Sequence, residues 1–329
     1  MTKKIIGIGN AIVDILCKVD DDFLIKNNLI KASMSLIDED IAKKLSKLDS
    51  EKITSGGSAG NTMAILGQMD CKSEFLGKVA NDEFGQKFIS QLSSSKTKFI
   101  NNSFSNKSSA KSFILVTPDA QRTMCTFLGC ASEIDETDIN EEIFKNTSVL
   151  YLEGYLWDRE KTINSLKKSI ELAKKNNVKV AFSLSDVFCV ARHKKDFLAL
   201  VKNDLDILFA NEDEILELVS SAEFSMTEIA EFLKQKKDLI GVITRSEKGC
   251  AVFQNNKFFE TKANQIDNLI DTTGAGDAFA AGFLYALSND LPLKKAAEIG
   301  NILASKIIQK LGARFDDEEI VLISQNIKN

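Results

Sequence analysis

The sequence holds one histidine, two prolines and six scattered cysteines. Each shortage removes a chemistry. A Ser-His-Asp or Cys-His centre would have to use His193, which sits in the charged run Arg192-His-Lys-Lys195 and reads as solvated surface. Cys17, Cys71, Cys125, Cys130, Cys189 and Cys250 form no Cys-x-x-Cys pair and have no second histidine to join, so neither zinc nor a disulfide framework is suggested. They read as small buried hydrophobes. No apolar run approaches the ~18 residues of a membrane span. Acidic residues outnumber basic ones 47 to 42, and a net charge of -5 offers no field for nucleic acid or an anionic membrane. The expected partner is a small molecule. Met1-Thr-Lys-Lys4 leads straight into strand-like Ile5-Ile-Gly-Ile8 rather than a signal peptide, so a cytoplasmic location is expected. Two glycine motifs also fall short: Ile12 stands where the dinucleotide fingerprint begun by Gly7-x-Gly9 needs a third glycine, and no Walker A sequence occurs.

What remains is ample apolar material, 44% of 329 positions, enough for one large domain with an appendage. From Val149 onward, strand patterns at 148–154, 179–184, 205–210 and 239–244 alternate with helix patterns at 159–176, 192–202, 212–219 and 227–236. Such alternation implies parallel crossovers and a sheet covered on both faces. Upstream, a strand at 4–9, a helix at 38–48 and another through Met69 fit the same domain, while 112–117 and 122–128 read as a hairpin turning at Pro118. The expected division is a large domain over 1–11, 38–97 and 128–329, with 12–37 and 98–127 as a small projecting sheet. Ligands on parallel sheets bind beyond the carboxyl ends of the strands. Asn10, Gly154-Tyr155, Asp186, Asn211 and Thr244 all fall at those ends, which predicts one shared site.

The most informative stretch is Asp271-Thr-Thr-Gly-Ala-Gly-Asp-Ala-Phe-Ala-Ala-Gly-Phe283. A glycine turn feeding a helix leaves the first N–H groups unpaired at the positive end of the dipole, an anion site that Gly274, Ala275 and Gly276 would form. Asp277 would be costly in such a site unless it acts there, and general base toward an alcohol attacking a phosphoryl group is the natural role. A packing turn with a dipole-favoured Asp is the plainer reading. Other clusters carry paired readings too. Asn10 and Asp14 are hydroxyl-binding groups or turn formers. Gly56, Gly57 and Asn61 let backbone and amide approach a ligand. Asn211 and Glu214, taken alone, read as a helix capping box. Tyr155 is a stacking aromatic or a loop side chain. Asn301 lines a pocket or faces water.

These motifs together resemble the ribokinase-like, or pfkB, family of sugar and nucleoside kinases. Asp-Thr-x-Gly-Ala-Gly-Asp-x-Phe is similar to its C-terminal signature, Gly56-Gly57-x-x-x-Asn61 to its N-terminal one, and Gly77-x-Val-Ala-Asn-Asp82-x-x-Gly85 also looks like this family. The resemblance implies a three-layer α/β/α domain with a mostly parallel sheet and a small β lid, and ATP as phosphoryl donor. In its adenosine kinases especially, an Asn-x-x-x-Asp such as Asn10 to Asp14 grips sugar hydroxyls, an arginine near Arg122 reaches the transferring phosphate, and an aromatic stands at Tyr155. Asn211-x-x-Glu214 would border the phosphates, with Glu214 holding a magnesium-bound water. Thr244-Arg-Ser-Glu-Lys-Gly249 resembles the family's Thr-x-Gly-x-x-Gly nucleotide loop, with Ser246 where glycine is usual, and Asn301 would line the adenine pocket. Asp271 and Thr273 would serve a monovalent cation, potassium in many members. Adenosine is the expected acceptor, with fructose or ribose as alternatives and a lid-mediated homodimer in view. A nicotinamide dehydrogenase and a non-catalytic nucleoside-binding protein are the rivals from other classes.

Overall fold

Runs such as Val149-Leu-Tyr-Leu152 are apolar on both faces and need cover on both. The computed structural model describes residues 3–101, 104–119, 121–255 and 257–328. Residues 1, 2, 102, 103, 120, 256 and 329, which fall within the expected domain ranges, lie outside the described residues. The first half of the chain runs β1 (Lys4–Ile8), β2 (Ile12–Lys18), α1 (Asp21–Lys26), β3 (Met34–Leu36), α2 (Glu39–Leu45), β4 (Lys52–Ser55), α3 (Ser58–Gln68), β5 (Ser73–Leu76), α4 (Glu83–Ser94), β6 (Thr97–Phe99), β7 (Ala110–Val116) and β8 (Arg122–Phe127). The second half runs β9 (Thr147–Glu153), α5 (Glu160–Lys175), β10 (Lys179–Ser183), α6 (Val187–Asn203), β11 (Ile207–Asn211), α7 (Glu212–Val219), α8 (Met226–Leu233), β12 (Ile240–Thr244), β13 (Cys250–Gln254), β14 (Lys257–Thr261), α9 (Ala275–Ser288), α10 (Leu293–Ile307) and α11 (Asp317–Lys328).

Nine strands form the large sheet in the order β14-β13-β12-β11-β10-β9-β1-β5-β6. Pairing is parallel from β12 to β6 and antiparallel through the β12-β13-β14 edge. Alternate residues feed two separate cores. Ile5, Val149, Tyr151, Ile207 and Phe209 pack with Met63, Phe283 and Ile299 of α3, α9 and α10, while Ile6, Ile8, Leu150, Leu152 and Leu208 pack with Leu166, Val190, Ile215 and Ile229 of α5 to α8. That is the expected three-layer arrangement. Because the central strands are parallel, their carboxyl ends share one edge of the sheet. No helix opens at Gly7-x-Gly9, since the chain runs from β1 directly into β2, so the geometry of a dinucleotide turn is missing there. All six cysteines are buried and free.

The second sheet has five strands in the order β3-β8-β7-β2-β4. Its boundaries differ from those expected. β4 pairs with β2 in the small sheet although 38–97 was assigned to the large domain, and β6, beginning at Thr97, pairs with β5 in the large one. Both are short strands in polar sequence, where pairing partners and not local pattern decide. α6 starts at Val187, capped by the Asp186 carboxylate on the Cys189 N–H, five residues before the expected 192. His193 is not simply solvated: its Nε2 lies 2.7 Å from Asp158 Oδ1, which also receives Arg192. Among the described residues no helix is long and apolar enough to cross a membrane.

The second core has an aromatic centre, with the Trp157, Phe182 and Phe197 ring centroids 5.0 to 5.9 Å apart in edge-to-face contact. All three side chains are fully buried. Phe182→Ala should therefore cost about 3–5 kcal/mol of unfolding free energy in urea titrations. A loss below ~1 kcal/mol would mean that this face is not packed as described.

Candidate active site

α9 begins at Gly274, whose φ of 78° is left-handed and where a Cβ would lie 2.4 Å from that of Ala313. Only glycine suits such a corner. The Ala275 N–H turns back to the Thr272 carbonyl and that of Ala278 to the Gly274 carbonyl. Among the described residues no acceptor takes the amides of Gly276 and Asp277. A Cβ at Gly276 would meet nothing within 4 Å, so that amide edge stands open. The first turn of α9 is thus a bare anion site.

Asp277 faces across this turn to α3. Ser58 Oγ donates to its Oδ1 at 2.7 Å and Asn61 Nδ2 to its Oδ2 at 2.9 Å. Burial pushes its carboxyl up to about 6, while Ser58, Asn61 and the charge of Arg314 pull the other way. The group is therefore mostly ionised at neutral pH yet more basic than a surface aspartate, which suits proton abstraction.

The neighbouring cavity opens between the two sheets. It is lined by Asp14, Thr54, Ser55, Asn61, Arg122, Thr273 and Arg314, together with Leu16, Lys52, Ile114, Leu311, Gly312 and Ala313. Asp14 projects from β2 against Gly56, where a Cβ would fall 2.2 Å from the carboxylate, so the glycine makes room for the acid. Burial raises the Asp14 carboxyl to about 7, with Arg314 lowering it and Asp277 raising it. Gly57 has φ 79° and lies tight on the Asn10 carbonyl. Asn10 donates through N and Nδ2 to Glu153 Oε1 at 2.8 and 3.0 Å, and Glu153 Oε2 accepts from Ala59 N at 2.7 Å. Glu153 is fully buried and pushed by burial to about 7. It ties the end of β1 and the start of α3 to the end of β9.

Arg122, on β8 of the small sheet, reaches the glycine turn. Its Nη1 lies 2.5 Å from Asp271 Oδ2. That oxygen also accepts from Gly312 N at 2.8 Å, and Asp271 Oδ1 accepts from Thr273 N and Oγ1 at 3.1 and 2.7 Å. Four donors, one a guanidinium, already surround the carboxylate. For the monovalent cation expected at Asp271 and Thr273 this leaves their backbone carbonyl oxygens as the less engaged donors.

The remaining candidates gather at the ends of β9 to β14. Asn211 and Glu214 form a full capping box: Glu214 N donates to Asn211 Oδ1, while both Glu214 oxygens accept from Asn211. Glu214 is buried, with its carboxyl raised to about 7 by that burial. Each Glu214 oxygen thus accepts one hydrogen bond from Asn211, and among the described residues no group of three His, Cys, Asp or Glu could hold a metal. Magnesium would enter with the phosphates of ATP. Thr244 Oγ1 donates to the Ala210 carbonyl. Ser246, where the family pattern carries glycine, has φ 49°, a left-handed conformation that glycine takes freely. Gly249 has φ 90° and lies tight on the Thr261 carbonyl. Asn301 does not face water: it is buried and its Nδ2 donates to the Thr261 and Lys262 carbonyls at 3.2 and 3.0 Å, holding the chain after β14. Tyr155 donates from its hydroxyl to the Ser185 carbonyl at 3.1 Å and is not among the cavity-lining residues.

A family model described as pfkB family carbohydrate kinase matches residues 25–320. The chain belongs to the pfkB family. Members act on hydroxyl groups of sugars or nucleosides, and this protein is a phosphotransferase of that kind. Its fold is ribokinase-like. An adenosine kinase structure from Sinorhizobium meliloti superposes with a TM-score of 0.88 at 33% identity, covering 99% of this chain and 100% of that one. A structure of a probable sugar kinase from Rhizobium etli gives 0.88 at 33%, covering 99% and 98%. Among curated proteins, 5-dehydro-2-deoxygluconokinase from Clostridium botulinum is 25% identical over 88% of each chain, and adenosine kinase from Saccharomyces cerevisiae 24% over 97% of this chain and 99% of its own.

Three side chains that the structure brings to this cavity and turn escaped the sequence reading. Ser58 lies inside the quoted glycine run, and Glu153 is the one carboxylate ending an apolar strand, so both left a faint trace. Arg314, between Ala313 and Phe315, left none. The turn makes a two-part prediction. Gly276→Ala should keep the thermal midpoint, since its Cβ enters open space, while cutting turnover about tenfold or more by crowding the phosphate. Gly274→Ala should instead lower stability by ~1 kcal/mol or more. Equal effects of the two on stability would contradict this assignment.

Proposed function

We propose that this pfkB kinase transfers the γ-phosphoryl group of ATP to the primary hydroxyl of a nucleoside, adenosine above all, giving AMP. The observation that carries the reading is the placement of Asp277 at the bare start of α9, held by Asn61, which lines one cavity with Asp14. In the proposed reaction Asp14 and the Asn10 region bind the ribose hydroxyls. Asp277 takes the proton of the attacking hydroxyl as its oxygen bonds to phosphorus and the bond to the departing ADP oxygen breaks. The open amides of Gly276 and Asp277, rather than that of Ala275, which is taken by the Thr272 carbonyl, hold the charge that develops on the phosphoryl oxygens. Arg122, already beside the turn, supplies a fixed positive charge. The small sheet covers the reacting groups and keeps water from competing.

Full-length likeness to adenosine kinases from two organisms supports the nucleoside. A sugar acceptor is the second reading, supported by the 5-dehydro-2-deoxygluconokinase relatives. An ADP-release assay across adenosine, ribose, fructose and 5-dehydro-2-deoxygluconate separates them. Adenosine should give the highest kcat/KM, and a sugar that exceeds it would replace it.

Asp277→Asn should reduce kcat at least ~100-fold with adenosine affinity nearly unchanged. Retained turnover would remove the general base. Only the ionised carboxylate can accept the proton, so kcat/KM should rise with pH through about 6 and then level. A profile flat across that range would count against Asp277 as base.

A further inference from the structure

Two charged side chains of the cavity, Lys52 and Arg314, are not used by the reaction above; Lys52 is exposed, whereas Arg314 points buried nitrogens into the site. Its Nη2 donates to Ser55 Oγ at 3.2 Å, and Gly60 leaves space beside that nitrogen. Its Nε and Nη1 are shut off from solvent and have no partner. Among the described residues it forms no ion pair, although Asp14 and Asp277 both act on its charge. Asn61, 5% exposed, donates to Asp277 but leaves its own Oδ1 buried and unpartnered. Buried polar groups without partners are rare and costly, and fixed donors in a binding cavity await a ligand.

We propose that Arg314 is an acceptor-binding and positioning residue: its Nε–H and Nη1–H groups take a hydroxyl oxygen of a neutral polyol, and its charge allows Asp14 and Asp277 to be ionised together. This rests on the kinase reading above and narrows it. The open valences are of both kinds, donors on Arg314 and acceptors on Asn61 and Asp14. A hydroxyl, which accepts and donates, satisfies such a set. The acid end of a sugar acid could pair with the guanidinium, but seated here it would also face the Asp14 carboxylate and donate nothing to Asn61 Oδ1. The inferred class is therefore a ribose or uncharged sugar, not a sugar acid.

The titratable groups that Asp277 acts on or is acted on by are Asp14 from β2, Tyr151 and Glu153 from β9, Tyr155 just beyond it, and Arg314, while Lys52 and the Asp271-paired Arg122 stand on the cavity wall. Of these, Arg314 is the cation whose charge lowers both Asp14 and Asp277. Without it two carboxylates share one low-dielectric site, and protonation of one is favoured.

Arg314→Gln and Arg314→Lys in the full chain test this, with initial rates on adenosine and ATP from pH 5 to 9 and calorimetric binding of adenosine alone. Arg314→Gln should raise the adenosine KM and dissociation constant about tenfold or more, leave the ATP KM within about twofold, and move the acid limb of kcat/KM to higher pH. Arg314→Lys keeps the charge but not the fork, so it should share the weak adenosine binding while its acid limb stays near the wild-type position. If the glutamine variant does not fold, the lysine variant decides through adenosine binding. Unchanged adenosine binding in the folded variants, or equal losses for ATP and adenosine, overturns the role of Arg314 while leaving the kinase reading intact. Wild-type protein that prefers 5-dehydro-2-deoxygluconate overturns the neutral-polyol class, and wild-type protein that turns over and binds none of the acceptors overturns both.

Discussion

A carboxylate held where two helices begin is the constraint on which the rest of the site depends. Asp277 belongs to the first turn of α9, yet its oxygens are fixed by Ser58 and Asn61 in the first turn of α3. Removal from water favours the neutral acid, whereas donated hydrogen bonds, the helix N-termini and a nearby guanidinium favour the ion. The balance leaves a base strong enough to take an alcohol proton and acidic enough to be free at neutral pH. α3 can aim its two residues only because Gly56 and Gly57 let the chain turn tightly beside Asp14 and Asn10. Glu153 then locks that turn by accepting from Asn10 and Ala59 together. Acceptor groups and base are thus parts of one hydrogen-bonded unit seated at the carboxyl edge of the parallel sheet.

The small sheet joins this unit through charge. Arg122 bridges from β8 to Asp271 at the entry of the glycine turn, so the covering sheet and the anion site meet at one ion pair. Such a pair shields the turn from water and brings positive charge near the phosphate path. It also engages the Asp271 carboxylate, which accepts from Thr273 and Gly312 as well.

Much of this was legible because it is local. Alternating strands and helices after Val149, the glycine turn, and the Gly-Gly-x-x-x-Asn run announce themselves in a few adjacent residues, and a parallel sheet covered on both faces follows from the crossovers. What was not legible depends on partners distant in the chain. β4 and β6 are too short for periodicity to mark, and each takes its identity from the strand it joins. The same holds for side chains. Asn301 was claimed by the backbone after β14, whereas the Asn211–Glu214 capping box, being local, was among the readings of the sequence. Arg314 reveals its place only once the fold sets it beside residues 14 and 277.

Chemistry and acceptor choice therefore reside on different parts of the same frame. In the proposed reaction α9 and its amides serve phosphoryl transfer whatever the alcohol, whereas β2, the start of α3 and Arg314 would select what the alcohol is attached to. The most direct measurement is a crystal structure of the protein with ADP, an aluminium fluoride mimic of the transferring group, and adenosine. The fluoride should lie within hydrogen-bond reach of the Gly276 and Asp277 amides, with the Asp277 carboxylate against the adenosine primary hydroxyl. A fluoride bound away from the α9 turn, or Asp277 turned from the hydroxyl, would contradict phosphoryl transfer at this helix start.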